Sequence, residues 1–148
     1  MADRCCGITG PLDKTKPSQK ELNSTEKLEA ALAELKVEES QDEYLLRREA
    51  LSKLQIICNK WIYKKALEIN YPPHVARTVK GKLFTFGSYR LGVNFSGADI
   101  DTLLVVPNMI IREAFFTEFV EILREDPSAE EVVAVPNAFV PVLSLIHI

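Results

Sequence analysis

Histidine is almost missing from this chain, with His74 and His147 alone among 148 residues. Two imidazoles so far apart make neither a metal cluster nor a Ser-His-Asp triad, so chemistry built on histidine is excluded. Cysteine is scarce as well. Cys5, Cys6 and Cys58 are odd in number, the adjacent pair lacks the spacing of a zinc knuckle or redox motif, and a reducing compartment fits. No apolar run approaches the roughly 20 residues that span a bilayer, and no charged-then-apolar leader opens the chain. The expectation is an intracellular protein with no membrane partner. Repeats and low-complexity tracts are also lacking. What is present is 47% hydrophobic and 26% charged residues, the balance of a globular domain of ordinary core size.

A net charge of −3 conceals a partition along the chain. Residues 1 to 43 carry 6 basic and 10 acidic side chains, residues 44 to 98 carry 10 and 2, and residues 99 to 148 carry 2 and 9. The central basic third is what attraction of a polyanion or a triphosphate would use. Lys80, Lys82 and Arg90 are the better candidates for contact, whereas Lys60, Lys64 and Lys65 read as a solvated helix face. The acidic carboxyl third gives no sign of nucleic-acid binding.

Chemistry concentrates between Phe84 and Val106. A β-prone run, Leu83 to Phe86, stops at Gly87-Ser88, and a second begins with Asp99 and Asp101 and continues apolar to Val106, which predicts strand, turn, short helix, strand. Alternation along a strand would point the Asp99 and Asp101 carboxylates to one face and Ile100 to the other. Two carboxylates side by side repel unless a cation lies between them, and hard oxygens at that spacing suit Mg²⁺. The turn supplies outward N–H groups, a hydroxyl at Ser88, and no Cβ at Gly87 to block a phosphate. Either signal alone is more often structural than catalytic; their combination raises the odds.

The remaining chain reads as follows. An irregular lead (1–17) precedes a helix from Ser18 to Lys36 with Leu22, Leu28, Leu32 and Leu35 at helical spacing. Ser40 and Glu43 have the form of a capping box opening a helix to about Leu67, with Tyr44, Leu51, Leu54, Cys58 and Trp61 as its buried stripe. Trp61 is core on this reading, although indole is also a base-stacking surface. After Pro72-Pro73 a helical turn is expected through Val75 to Val79. A helix over Ile111 to Arg124 and strands at Glu131–Val135 and Phe139–Ile146 complete an α+β domain, a small mixed sheet with flanking helices.

An apolar residue, Gly87-Ser88, ten residues, then Asp99-x-Asp101 resembles the signature of the nucleotidyltransferase superfamily that includes DNA polymerase β. The wider wording is closer still. Lys82 to Val93, Gly97 to Leu103 and Ala138 to Val142, with Gly7-Ile8-Thr9 and the segment around Trp61, resemble eukaryotic nuclear poly(A) polymerase. The resemblance implies template-independent addition of AMP from ATP to the 3′ end of RNA by two-metal-ion catalysis, with Mg²⁺ or Mn²⁺ as cofactor. It implies that Asp99 and Asp101 are catalytic and metal-binding, and that Phe86, Gly87, Ser88, Phe95, Asp99, Ile100 and Asp101 bind ATP. It also implies that Phe139 meets the RNA, that 3′-end processing factors are partners of the full-length protein, and that the location is the nucleus.

By the same resemblance, residues 18–42 pack partly on a middle domain, and 43–148 form a catalytic domain truncated before a third aspartate. Ser144 stands where the family has lysine, and Asn94-Phe95-Ser96 departs from its usual loop. The expectation is that this chain alone is inactive. Two alternatives remain open: another substrate within the superfamily, such as CCA or oligoadenylate addition, and a catalytically dead nucleotidyltransferase module that binds or regulates.

Overall fold

A computed structural model describes residues 10–35, 37 and 39–147, and the Gly7-Ile8-Thr9 motif, Cys5 and Cys6 lie outside them. The chain divides into two compact units at Glu38/Glu39. The first contains helix α1 (Gln19–Leu35). It starts at Ser18, whose N–H and hydroxyl both donate to Glu21 Oε2 at 2.7 Å, so the first turn is capped locally. None of its residues is buried, and Leu22, Leu28 and Leu35 stand exposed.

The second unit begins with α2 (Gln41–Glu68), and the expected capping box is complete: Glu43 N–H donates to Ser40 Oγ, and Ser40 N–H to Glu43 Oε2. α2 ends where Asn70 takes a left-handed φ of 64°, letting Tyr71 N–H reach back to the Ala66 carbonyl. Pro72-Pro73 follows. Proline lacks the N–H that a first turn leaves unused, so Pro73 starts α3 (Pro73–Ala76), two residues earlier than the Val75 of the sequence reading.

β1 (Lys82–Thr85), α4 (Gly87–Leu91) and β2 (Thr102–Val105) form the expected hairpin with a helical turn inserted. The strands are antiparallel, pairing Lys82 with Val105 and Thr85 with Thr102, and Phe86 N–H extends the ladder to the Asp101 carbonyl at 3.0 Å. The free edge of β1 is covered by side chains of α2. Gln55 accepts from Leu83 N–H at 2.9 Å and donates to Gly81 O at 3.1 Å, so one amide replaces a neighbouring strand. Gly81 lacks a Cβ for cause: one there would lie 2.6 Å from Ile62 Cδ1 and 3.0 Å from Val105 O.

α5 (Arg112–Ala114) passes through a π-helical segment (Phe115–Phe119) into α6 (Val120–Arg124). Trp61, Ile62 and Cys58 of α2 pack with Phe119, Leu123, Ala114 and Ile110 to form the core. The Trp61 and Phe119 rings lie 4.9 Å apart, and Phe115 stacks on Phe119 at 5.4 Å. Trp61 is core, and its indole N–H donates to Glu118 Oε2.

β3 (Ala129–Val135) and β4 (Val142–His147) make a second antiparallel hairpin. The α+β class therefore holds, but the strands form two separate two-stranded antiparallel sheets where one mixed sheet was expected. The expected strand from Phe139 starts later, at Val142. Pro141 has no N–H for a ladder, so Phe139 and Val140 stay in the turn.

Candidate active site

The corner between β1 and β2 is built on one close approach. Gly87 has φ of 63°, a backbone state that L side chains rarely adopt, and a Cβ there would collide with Asp101 Oδ2 and lie 3.2 Å from Asp101 Cγ. The absent methyl is thus what lets the Asp101 carboxylate stand against the turn. Asp101 is half-buried and Asp99 exposed, and both precede β2. The strand expected to start at Asp99 begins at Thr102 because the Asp99 carbonyl faces a side chain and pairs with no strand. Ser88 follows Gly87 in the first turn of α4, and its carbonyl accepts from Val93 N–H at 3.1 Å. Phe86, 52% exposed, and Phe95, 55% exposed, leave aromatic faces free on either side of α4 in the chain.

A second layer holds the loop before the aspartates, and the sequence reading missed it. Arg47 of α2 donates through Nη2 to Phe95 O at 3.3 Å and through Nη1 to Asp99 O at 3.4 Å, while its Nε pairs with Glu39 at 2.6 Å. One turn earlier, Glu43 accepts the Ser96 hydroxyl. That hydroxyl, with the backbone and hydroxyl of Ser40, holds the Glu43 carboxyl down at about 2. Glu43 and Arg47, four residues apart, share one face of α2, and Glu39 meets Arg47 from the segment before the cap. The target of Arg47, two main-chain carbonyls, leaves no trace in sequence.

Oxygen donors dominate the corner: two carboxylates and the Ser88 hydroxyl. Among the described residues no group of three or more His, Cys, Asp or Glu assembles. A pair of hard carboxylates with open positions fits an octahedral ion that keeps water and phosphate ligands, and does not fit a closed zinc cage. Asp101 is thus brought to the Gly87-Ser88 turn, with Phe86 N–H bonded to its carbonyl, while Asp99 and Ile100 precede it in the chain and Arg47 holds the Asp99 carbonyl. Phe139 is placed elsewhere, fully exposed in the turn of the other hairpin, which Arg112 ties down through Pro136 O at 3.3 Å.

A strand, a glycine-opened helical turn that seats the Asp101 carboxylate, and a returning strand are the pattern of a nucleotidyltransferase core. The family described as poly(A) polymerase nucleotidyltransferase domain matches residues 7–147, and the chain belongs to it. Among relatives, Poly(A) polymerase of Dictyostelium discoideum is 40% identical over 140 residues, covering 95% of this chain and 17% of the relative. Poly(A) polymerases PAPa and PAPalpha of Candida albicans are each 39% identical over 150 residues, covering 98% of this chain and 26% of theirs. The chain thus spans about a quarter or less of the length of these relatives.

Proposed function

We propose that this domain carries the catalytic corner for transfer of AMP from ATP to the 3′-hydroxyl of RNA. The observation that carries the reading is the contact of Gly87 with Asp101, which sets a carboxylate able to hold a metal directly against the glycine of the turn. Asp99 and Asp101 would hold Mg²⁺, or Mn²⁺ in its place. Bound there, such ions acidify the attacking hydroxyl and stabilise the leaving pyrophosphate. Ser88 donates its hydroxyl to the triphosphate, and Gly87 leaves room for the Asp101 carboxylate beside it. Phe86 and Phe95 offer faces for the base, Ile100 sets the spacing of the two acids, and Phe139 is free to meet RNA. A nuclear location and 3′-end processing factors as partners of the whole protein rest on the resemblance alone.

Mg²⁺-dependent ATP binding, followed by titration calorimetry, tests the site. Asp99→Ala and Asp101→Ala should each abolish it while circular dichroism stays unchanged, and binding that survives in both would overturn the reading. Incubating a full-length protein with an RNA primer and each nucleotide in turn should give adenylate addition only. A second reading, a nucleotide-binding module without transfer, is favoured by Ser144, which is exposed on β4 where the family carries lysine. MgATP binding without primer extension would select it.

A further inference from the structure

A groove of about 480 Å³ runs along α2 on the side where α3 and the lead into β1 pack, away from the catalytic corner. Lys60, Arg77 and Lys80 line it, and no acidic side chain does. Arg47, Lys53, Lys65 and Arg124 all have carboxylate partners, whereas none of the three groove cations takes part in an ion pair among the described residues. Three cations without an ion pair in one concavity attract a polyanion, although Lys60 also borders a second cavity that Glu125 and Asp126 line. The floor adds a second kind of recognition. Tyr63 presents a half-buried ring, Ile56 is 55% exposed beside it, and Val79 completes the apolar surface. Asn59 accepts from Gly81 N–H through Oδ1, which leaves its NH2 group to donate.

We infer that this groove binds single-stranded RNA upstream of the 3′ end, with phosphates on Lys60, Arg77 and Lys80 and a base against Tyr63. Three cations and an aromatic face in one groove match a chain that carries both phosphates and planar rings, whereas a purely acidic peptide would leave the ring unused. The groove ends at Lys80, and β1 leads from there to the catalytic turn, about 13 Å of strand. RNA gripped here is therefore a few nucleotides from the corner. The assignment rests on the reading that this domain acts on RNA, and it reverses the sequence-based view of Lys60 as a merely solvated cation.

The test is fluorescence anisotropy of this chain with a labelled single-stranded 10-nucleotide oligoadenylate over a range of salt. A Lys60→Ala/Arg77→Ala/Lys80→Ala variant should lose on the order of tenfold or more in affinity, and its log affinity against log salt slope should flatten by about 2, at ~0.7 per phosphate contact. Tyr63→Ala should weaken binding severalfold without changing the slope. A control, Lys53→Ala/Arg124→Ala, removes two cations that already have partners and should bind as the parent does. Equal loss in the control would show a diffuse charge effect and overturn the assignment, as would unchanged binding in the triple variant or preference for an acidic peptide of equal charge. Asp101→Ala separates the two readings: it should lose MgATP and keep the oligonucleotide. Retention of MgATP by the aspartate variants sinks the catalytic reading, and retention of RNA by the triple variant sinks only the groove.

Discussion

Gly87 and Asp101 occupy space that only a residue without a side chain could share, since any Cβ at Gly87 would overlap the Asp101 carboxylate. Two penalties therefore fall on Gly87→Ala. The left-handed φ of 63° costs about 1 to 2 kcal/mol for an L residue, and the added methyl must also displace the carboxylate. Gly92 has a φ of 74° with nothing near its Cβ position, so Gly92→Ala suffers strain alone. Thermal unfolding should register a loss in both, while MgATP binding should fail only in Gly87→Ala. Equal effects on binding would separate the turn from the acid pair.

Arg47→Ala should be among the most damaging single changes outside the core. The Arg47 and Glu39 side chains are 11% and 9% exposed, so truncation strands a nearly buried carboxylate and frees the carbonyls of Phe95 and Asp99. Loss of such a partner costs on the order of 3 kcal/mol. Arg47→Lys restores the charge without the planar fork and should recover little. Urea unfolding gives the energy, and MgATP affinity gives the effect on the aspartates. A full rescue by lysine would refute the role of the fork.

Acid should weaken the contact between α2 and this loop. Glu43 is held at about 2 in the folded chain against an ordinary 4.5, because Ser96 and Ser40 donate to its charged form. A depressed folded value means stability that is complete above the unfolded value and is lost as pH falls from about 4.5 through about 2. The melting temperature of the parent should drop over that window more steeply than that of Glu43→Gln. Parallel curves would remove Glu43 from the account.

Cys58 should be inert. Burial pushes its thiol up to about 12, so almost no thiolate exists at pH 8, and no path from solvent reaches it in the folded state. Iodoacetamide labelling followed by peptide mass spectrometry should leave Cys58 unmodified until denaturant is added. Rapid labelling under native conditions would mean that α2 opens readily at its centre.

Local chemistry was the legible part. The Ser40/Glu43 capping box, the Pro72-Pro73 stop and the Gly87-Ser88 turn each lie within a few residues, so sequence spacing alone places them. Pairing between distant segments was not. One mixed sheet was expected, yet the outer edge of β1 is taken by the Gln55 amide, and an amide on a helix gives no strand signal. The start of β2 was set at Asp99, because nothing in the sequence shows that Arg47 would claim the Asp99 carbonyl. The strand was expected to start at Phe139, and it starts at Val142 because Pro141 offers no N–H to the ladder. The π-helical turn that sets Phe115 and Phe119 toward Trp61 has no sequence mark at all.

Arg47 grips its loop by main-chain oxygens, which every amino acid possesses. The identities of Asn94 and Phe95 are consequently free to drift, whereas Ser96 is tied to Glu43 by its own hydroxyl, and the grip of Arg47 beneath does not depend on those two side chains. A scaffold of that kind separates side-chain variation in the loop from the support of its backbone, so an engineer could randomise Asn94 and Phe95 and keep Arg47 seated on the loop.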